Sequence, residues 1–160
     1  MRIATLNTFH EYVGKVIMYC QRVEYNLKLI YAALQVESDY VGGNQPSSML
    51  RYDIFHENFK TIQSKSMGDI LSKLEERDEK MGGNRYLRAQ EYELLKELKD
   101  IRNHWAHEGY LQFLYSVGKD YEENFRIQAK KLKADFETVR GLYESVEKVS
   151  VETLQNYNII

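Results

Sequence analysis

The chain has 160 residues, a formal net charge of −2 and 43% hydrophobic residues, enough for one domain with a core that needs no metal or disulfide staple. Its single cysteine, Cys20, excludes an internal disulfide and fits a reducing compartment. The near-neutral balance carries no global signature of nucleic-acid binding, so any RNA site has to be a local basic cleft. Met1–Phe9 is too polar for a signal peptide, and no apolar run approaches a membrane span; the expected location is cytoplasmic. One proline and nine glycines leave little punctuation, and no stretch alternates as a strand would. The expectation is therefore an all-α fold, a single domain over residues 1–160.

The first helix is predicted from about Thr5 to Ser38. Val13, Val16, Cys20, Val23, Leu27, Ile30 and Leu34 follow an unbroken 3-4 spacing, a seam able to pack inside a bundle or against a second subunit. Cys20 lies on the seam and reads as a small buried thiol. Val41-Gly42-Gly43-Asn44-Gln45-Pro46 should stop this helix. Ser47 or Ser48 can cap the next, which has Phe55, Phe59 and Ile62 on one face and His56 beside it. Lys65-Ser66-Met67-Gly68-Asp69 predicts a break, with Ser66 or Asp69 capping a new helix through Ile70, Leu71 and Leu74. The mixed charges of Glu75–Lys80 read as a solvated helix end.

Met81-Gly82-Gly83-Asn84 predicts a turn. A central helix is expected from about Arg85 through Asp100-Ile101-Arg102-Asn103-His104-Trp105-Ala106-His107-Glu108-Gly109. Its apolar stripe is Leu87, Leu94, Leu98, Ile101 and Trp105. Arg102, seven residues after Leu95, projects at the edge of that stripe, and Asn103 and His107 share a face. Gly109 is placed to end or bend the helix. The last helix should begin near Asp120, with Phe125, Leu132, Phe136, Val139, Tyr143 and Val146 as a second seam. Arg126, Lys130 and Lys133 form the one compact basic stripe, either a solvated face or a phosphate-contacting patch. The thirteen tyrosines read as half-buried faces with wet hydroxyls. Short turns between four long helices, one broken in the middle, give an up-down helical bundle of four to five helices, and the two seams point to a homodimer.

Arg102-Asn103, three residues, then His107 resembles the signature of the HEPN superfamily, an Arg and a His four to six residues apart with a polar residue after the Arg. Ser66–Leu71 also resembles a Thr-Leu-Gly-type element preceding a middle helix in some members. The motif match covers about ten residues, while the helical pattern fits most of the chain. The resemblance implies a dimerising helical domain, often a metal-independent endoribonuclease, with Arg102, Asn103 and His107 at a cleft by the dimer interface. In some HEPN toxins a tyrosine two residues after the motif His is modified by a partner; here that position is Gly109, and Tyr110 comes one later.

Such a site would cleave RNA to a 2′,3′-cyclic phosphate and a 5′-hydroxyl. There the imidazole of His107 would serve as acid or base, and the guanidinium of Arg102 would meet the negative charge that gathers on the phosphorane oxygens. No cofactor is expected. The biological setting implied is toxin–antitoxin or antiviral defence, with RNA and possible antitoxin partners. Read as ordinary structure instead, Arg102 pairs with a carboxylate such as Asp100 or Glu108, and His107 caps helical carbonyls. His104, His107 and Glu108 could present a metal, but the third protein ligand is missing and the spacing is not His-Glu-x-x-His. An ideal helix sets Arg102 and His107 about 140° apart; the long Arg side chain or a helix end deformed at Gly109 would let one pair converge, and a two-fold dimer, the preferred account, would relieve the divergence by facing two motifs to one cleft. The other class of function is a non-catalytic HEPN-like dimeric bundle that binds RNA or a protein partner.

Overall fold

The computed structural model describes residues 2–38 and 48–160, with backbone only for 37, 38 and 48–51. Among these the chain is all-α: α1 (Leu6–Ser38), α2 (Ser48–Gln63), α3 (Met67–Lys80), α4 (Ala89–Asn103), a π-helical turn (His104–Glu108) and α5 (Gly118–Asn156), with no strand. No helix among the described residues is long and apolar enough to cross a membrane. The expected stop at Val41–Pro46 and the cap at Ser47 lie outside the described residues. The contacts divide the chain into two compact units: residues 1–22 with 97–143, and residues 23–96 with 144–160.

The first unit is built on the front of the α1 seam. Val13, Val16 and Cys20 are buried, as are Leu98, Trp105, Leu132, Phe136 and Val139. Phe9, fully buried, sits among aromatic rings, with centroids 5.8 Å from Trp105, 5.2 Å from Phe113 and 5.5 Å from Phe125. The edge-to-face geometry of the first two sets the positive ring edge against a negative face and adds to the apolar gain.

The second unit continues the seam through Val23, Leu27, Ile30 and Leu34, all buried. Phe55 and Ile62 of α2 are buried as well, with Phe59 half-buried. The break after α2 falls where expected, and Ser66 caps α3, its hydroxyl accepting from the Asp69 N–H at 3.2 Å. Ile70, Leu71 and Leu74 supply the buried face.

Two expectations need correction. Asp78, read as part of a solvated charged end, is 1% exposed. Its carboxylate accepts the backbone N–H groups of Arg85 (2.7 Å), Tyr86 (3.3 Å) and Leu87 (3.1 Å) and the Tyr92 hydroxyl (2.9 Å). The central helix consequently starts at Ala89, four residues later than expected. Residues 85–87 spend their N–H groups on Asp78, and the chain reaches them through left-handed backbone at Gly82, Gly83 and Asn84 (φ 97°, 79° and 56°). Glu91 then fixes the start: its carboxylate reaches back to the Arg88 N–H (3.1 Å) and Arg88 Nε (3.0 Å), one half of a capping box. The last helix begins two residues before the expected Asp120, at Gly118, which has φ 60°.

Candidate functional site

The motif belongs to the first unit. α4 carries Leu95 and Leu98 into the core, with Leu94 and Ile101 half-buried, and so delivers Arg102 and Asn103 half-buried at its end. There the regular helix stops. His104–Glu108 form a π turn, closed by a 2.7 Å bond from the Gly109 N–H to the His104 carbonyl. The sequence expectation of a continuous helix through the motif is corrected on this point.

The turn has an identifiable cause. Trp105 is 1% exposed, and its indole N–H donates to Asp135 at 2.8 Å. A Cβ on Gly109 would lie 2.5 and 2.7 Å from the Trp105 ring. Gly109 has ordinary right-handed backbone (φ −55°, ψ −38°). Glycine is required there for ring clearance, not for a left-handed stop, and the widened turn lets the indole lie across the backbone. A π turn bonds i to i+5 and takes more residues per revolution. It therefore narrows the divergence of about 140° that an ideal α-helix would give residues five apart.

The two histidines of the motif differ. His107 is exposed, and its ring makes no hydrogen bond to another described residue. The His104 side chain is only 18% exposed. Its Nε2 donates to Gln128 Oε1 at 3.2 Å, its Nδ1 lies 3.8 Å from Glu108, and its ring stands edge-on to Trp105 at 4.6 Å. Gln128 is itself buried. Lys131 bonds Asp135 at 3.0 Å and lies over the indole at 5.7 Å. The bonds that tie this frame to the motif, His104 to Gln128 and Trp105 to Asp135, have no signal in the sequence, because their partners lie 24 and 30 residues apart.

Cys20 is 2% exposed, and burial pushes its thiol up to about 12, with Arg102 nearby working in the opposite direction. The thiol stays protonated, as a small packing group would. After the π turn, Tyr110 stacks on His10 with its hydroxyl 2.7 Å from Nδ1, and burial raises the phenol above its ordinary value. Leu111, Leu114, Tyr115 and Val117, which lead into α5, are 50–82% exposed.

Arg102, Asn103 and His107 lie within one six-residue segment, the end of α4 and the π turn. Arg126, Lys130 and Lys133 lie on α5 and are exposed, lining a separate groove. Among the described residues no group of three or more His, Cys, Asp or Glu side chains is arranged to hold a metal, and His104, His107 and Glu108 do not form one. Compared with known proteins, the chain matches no family, no curated protein and no solved structure.

Proposed function

We propose that this chain is a metal-independent endoribonuclease of the HEPN type, acting as a homodimer. The observation that carries the reading is the π turn laid directly over the motif. It leaves an exposed, unengaged imidazole at His107 one widened turn beyond a half-buried Arg102 and Asn103. π turns occur often at functional sites, since they cost regular helix geometry that packing must repay. His107 moves the proton of the attacking 2′-hydroxyl or of the leaving 5′-oxygen. Arg102 supplies a permanent charge in a forked geometry for the phosphorane, and Asn103 holds a phosphate oxygen or the imidazole. Defence or toxin–antitoxin function follows from the same resemblance.

A second reading, a HEPN-like module that binds a protein partner without catalysis, is favoured by the exposed Leu111, Leu114, Tyr115 and Val117 beside the motif. The two separate in one experiment. Pure protein, checked by light scattering for the dimer, is incubated with structured RNA in EDTA and the product ends are analysed. Cleavage to 2′,3′-cyclic phosphate and 5′-hydroxyl ends supports the nuclease; intact RNA hands the site to the binding reading. A monomer at micromolar concentration removes the dimer.

A further inference from the structure

A groove of about 420 Å³ lies on the first unit, between the segment that precedes α1 and the first half of α5. Arg2, Arg126, Lys130 and Lys133 line it, and no acidic side chain does. In a chain of net charge −2, four cations with no carboxylate on one concave surface are unexpected. Arg2, Lys130 and Lys133 make no ion pair or hydrogen bond with another described residue. Arg126 bonds Glu123 at 2.7 Å, but that pair is exposed and weak, and a stronger anion can displace it.

The apolar part of the groove narrows the ligand. Ile3, Phe125 and Ala129 line the groove with the cations, half-buried or buried. Along the α5 axis Arg126 to Lys133 spans roughly 10 Å at 1.5 Å per residue. That is the reach of about three to four phosphates at about 3.4 Å per strand position. A row of charges over an apolar floor suits a chain of phosphates that also offers flat ring faces. A duplex keeps those faces stacked inside. A membrane surface would call for large exposed apolar side chains, and the two large ones here, Ile3 and Phe125, are half-buried.

We propose that this groove binds single-stranded nucleic acid, with phosphates on Arg2, Lys130 and Lys133 and bases against Ile3 and Phe125. The site is distinct from the motif. On α5, Gln128 and Asp135, which hold His104 and Trp105, project about half a turn away from Lys130 and Lys133. The proposal stands whether or not the chain cleaves RNA.

The test uses a fluorescein-labelled 12-nucleotide 2′-O-methyl RNA, which lacks the free hydroxyl that cleavage needs, so binding is read apart from activity. Anisotropy titrations across a salt series should give a log–log slope of about −2 to −3, near −0.7 per phosphate engaged. Lys130→Glu/Lys133→Glu should weaken binding roughly tenfold or more and make the slope shallower by about 1.4. Lys130→Gln/Lys133→Gln does the same job if the charge reversal disturbs folding. Lys80→Glu/Lys148→Glu, an equal charge change in the other unit, should leave the slope unchanged. Several results would overturn the assignment: groove variants that keep the wild-type slope, a control that weakens equally, or a duplex that binds as tightly. Capture by phosphatidylserine vesicles without binding of the oligonucleotide would do so as well.

Discussion

The two ends of α4 are held in opposite ways. At the start the buried polar groups are used: four donors converge on one buried carboxylate, and Glu91 closes the cap. At the far end the framework is equally firm around Trp105, yet what it presents outward is left unengaged: an exposed His107, then four exposed apolar side chains. Burial of polar groups is costly unless their bonds are made, so the first end is explained by stability alone. The second gains nothing for the fold by exposing an imidazole and apolar surface together. The proposed function supplies a physical reason to keep them there.

The largest effect expected from breaking this contrast is on rate. Replacing His107 by Ala should reduce RNA cleavage by about 10²–10⁴-fold, the usual loss for one positioned acid–base group. Because the side chain is exposed and unbonded, the urea midpoint should stay at the wild-type value. Arg102→Lys should also be severely impaired, since an ammonium keeps the charge but loses the fork. His104 is not a neutral comparison, given its bond to Gln128, so the exposed His56 in the other unit serves as the control. Equal cleavage by wild type and His107→Ala at matched purity would show that the activity is a contaminant.

At the other end the same logic predicts the reverse. Asp78→Ala strands three backbone N–H groups and the Tyr92 hydroxyl. At about 1–3 kcal/mol per unsatisfied buried group, with the outermost reaching water, the loss should total about 3–5 kcal/mol. Urea denaturation followed by helical circular dichroism measures it. A midpoint within error of wild type would mean that residues 81–88 find another arrangement without cost. Gly109→Ala tests the join between frame and site: the new methyl meets a buried indole that cannot swing away, for a cost of about 1–3 kcal/mol. Unchanged stability in that variant would show that the π turn does not depend on ring clearance.

Which of these features could be read in advance follows from the range of the forces involved. The α1 seam was legible because Val13 through Leu34 repeat a local period, and all seven are buried. The Ser66 cap was legible because a cap is a three-residue matter. Asp78 was not: nothing in Glu75–Lys80 distinguishes the carboxylate that curls inward from its neighbours that stay wet. The clue lay beyond the run, in a Gly-Gly-Asn turn able to fold the chain back onto it. The π turn was also hidden, because it depends on how a tryptophan meets a glycine four residues on within a packed core. Of the candidate site, the motif residues and the basic stripe could be named from spacing; Arg2 and the frame around His104 could not, since only the fold brings them there.

The smallest effect concerns pH and the start of α4. Burial opposes ionisation of Glu91, but bonds from the Arg88 backbone and guanidinium and from Ser145 outweigh it, and the carboxyl is held below its ordinary 4.5. A group whose pKa is depressed by folding stabilises the native state while it is ionised in both states. That contribution is fully present above 4.5 and is lost as pH falls from there through the lower folded value. Glu91→Gln keeps the shape and an acceptor oxygen but removes the charge near the helix N-terminus, for a cost of about 0.3–1 kcal/mol at pH 7. The gap between wild type and variant should therefore be constant from pH 7 to about 5 and close below 4.5. Urea midpoints taken for both proteins at pH 7, 5, 4 and 3 follow it directly. A gap that widened on acidification would mean that Glu91 is held by its neutral form, and the capping description of this helix start would have to be withdrawn.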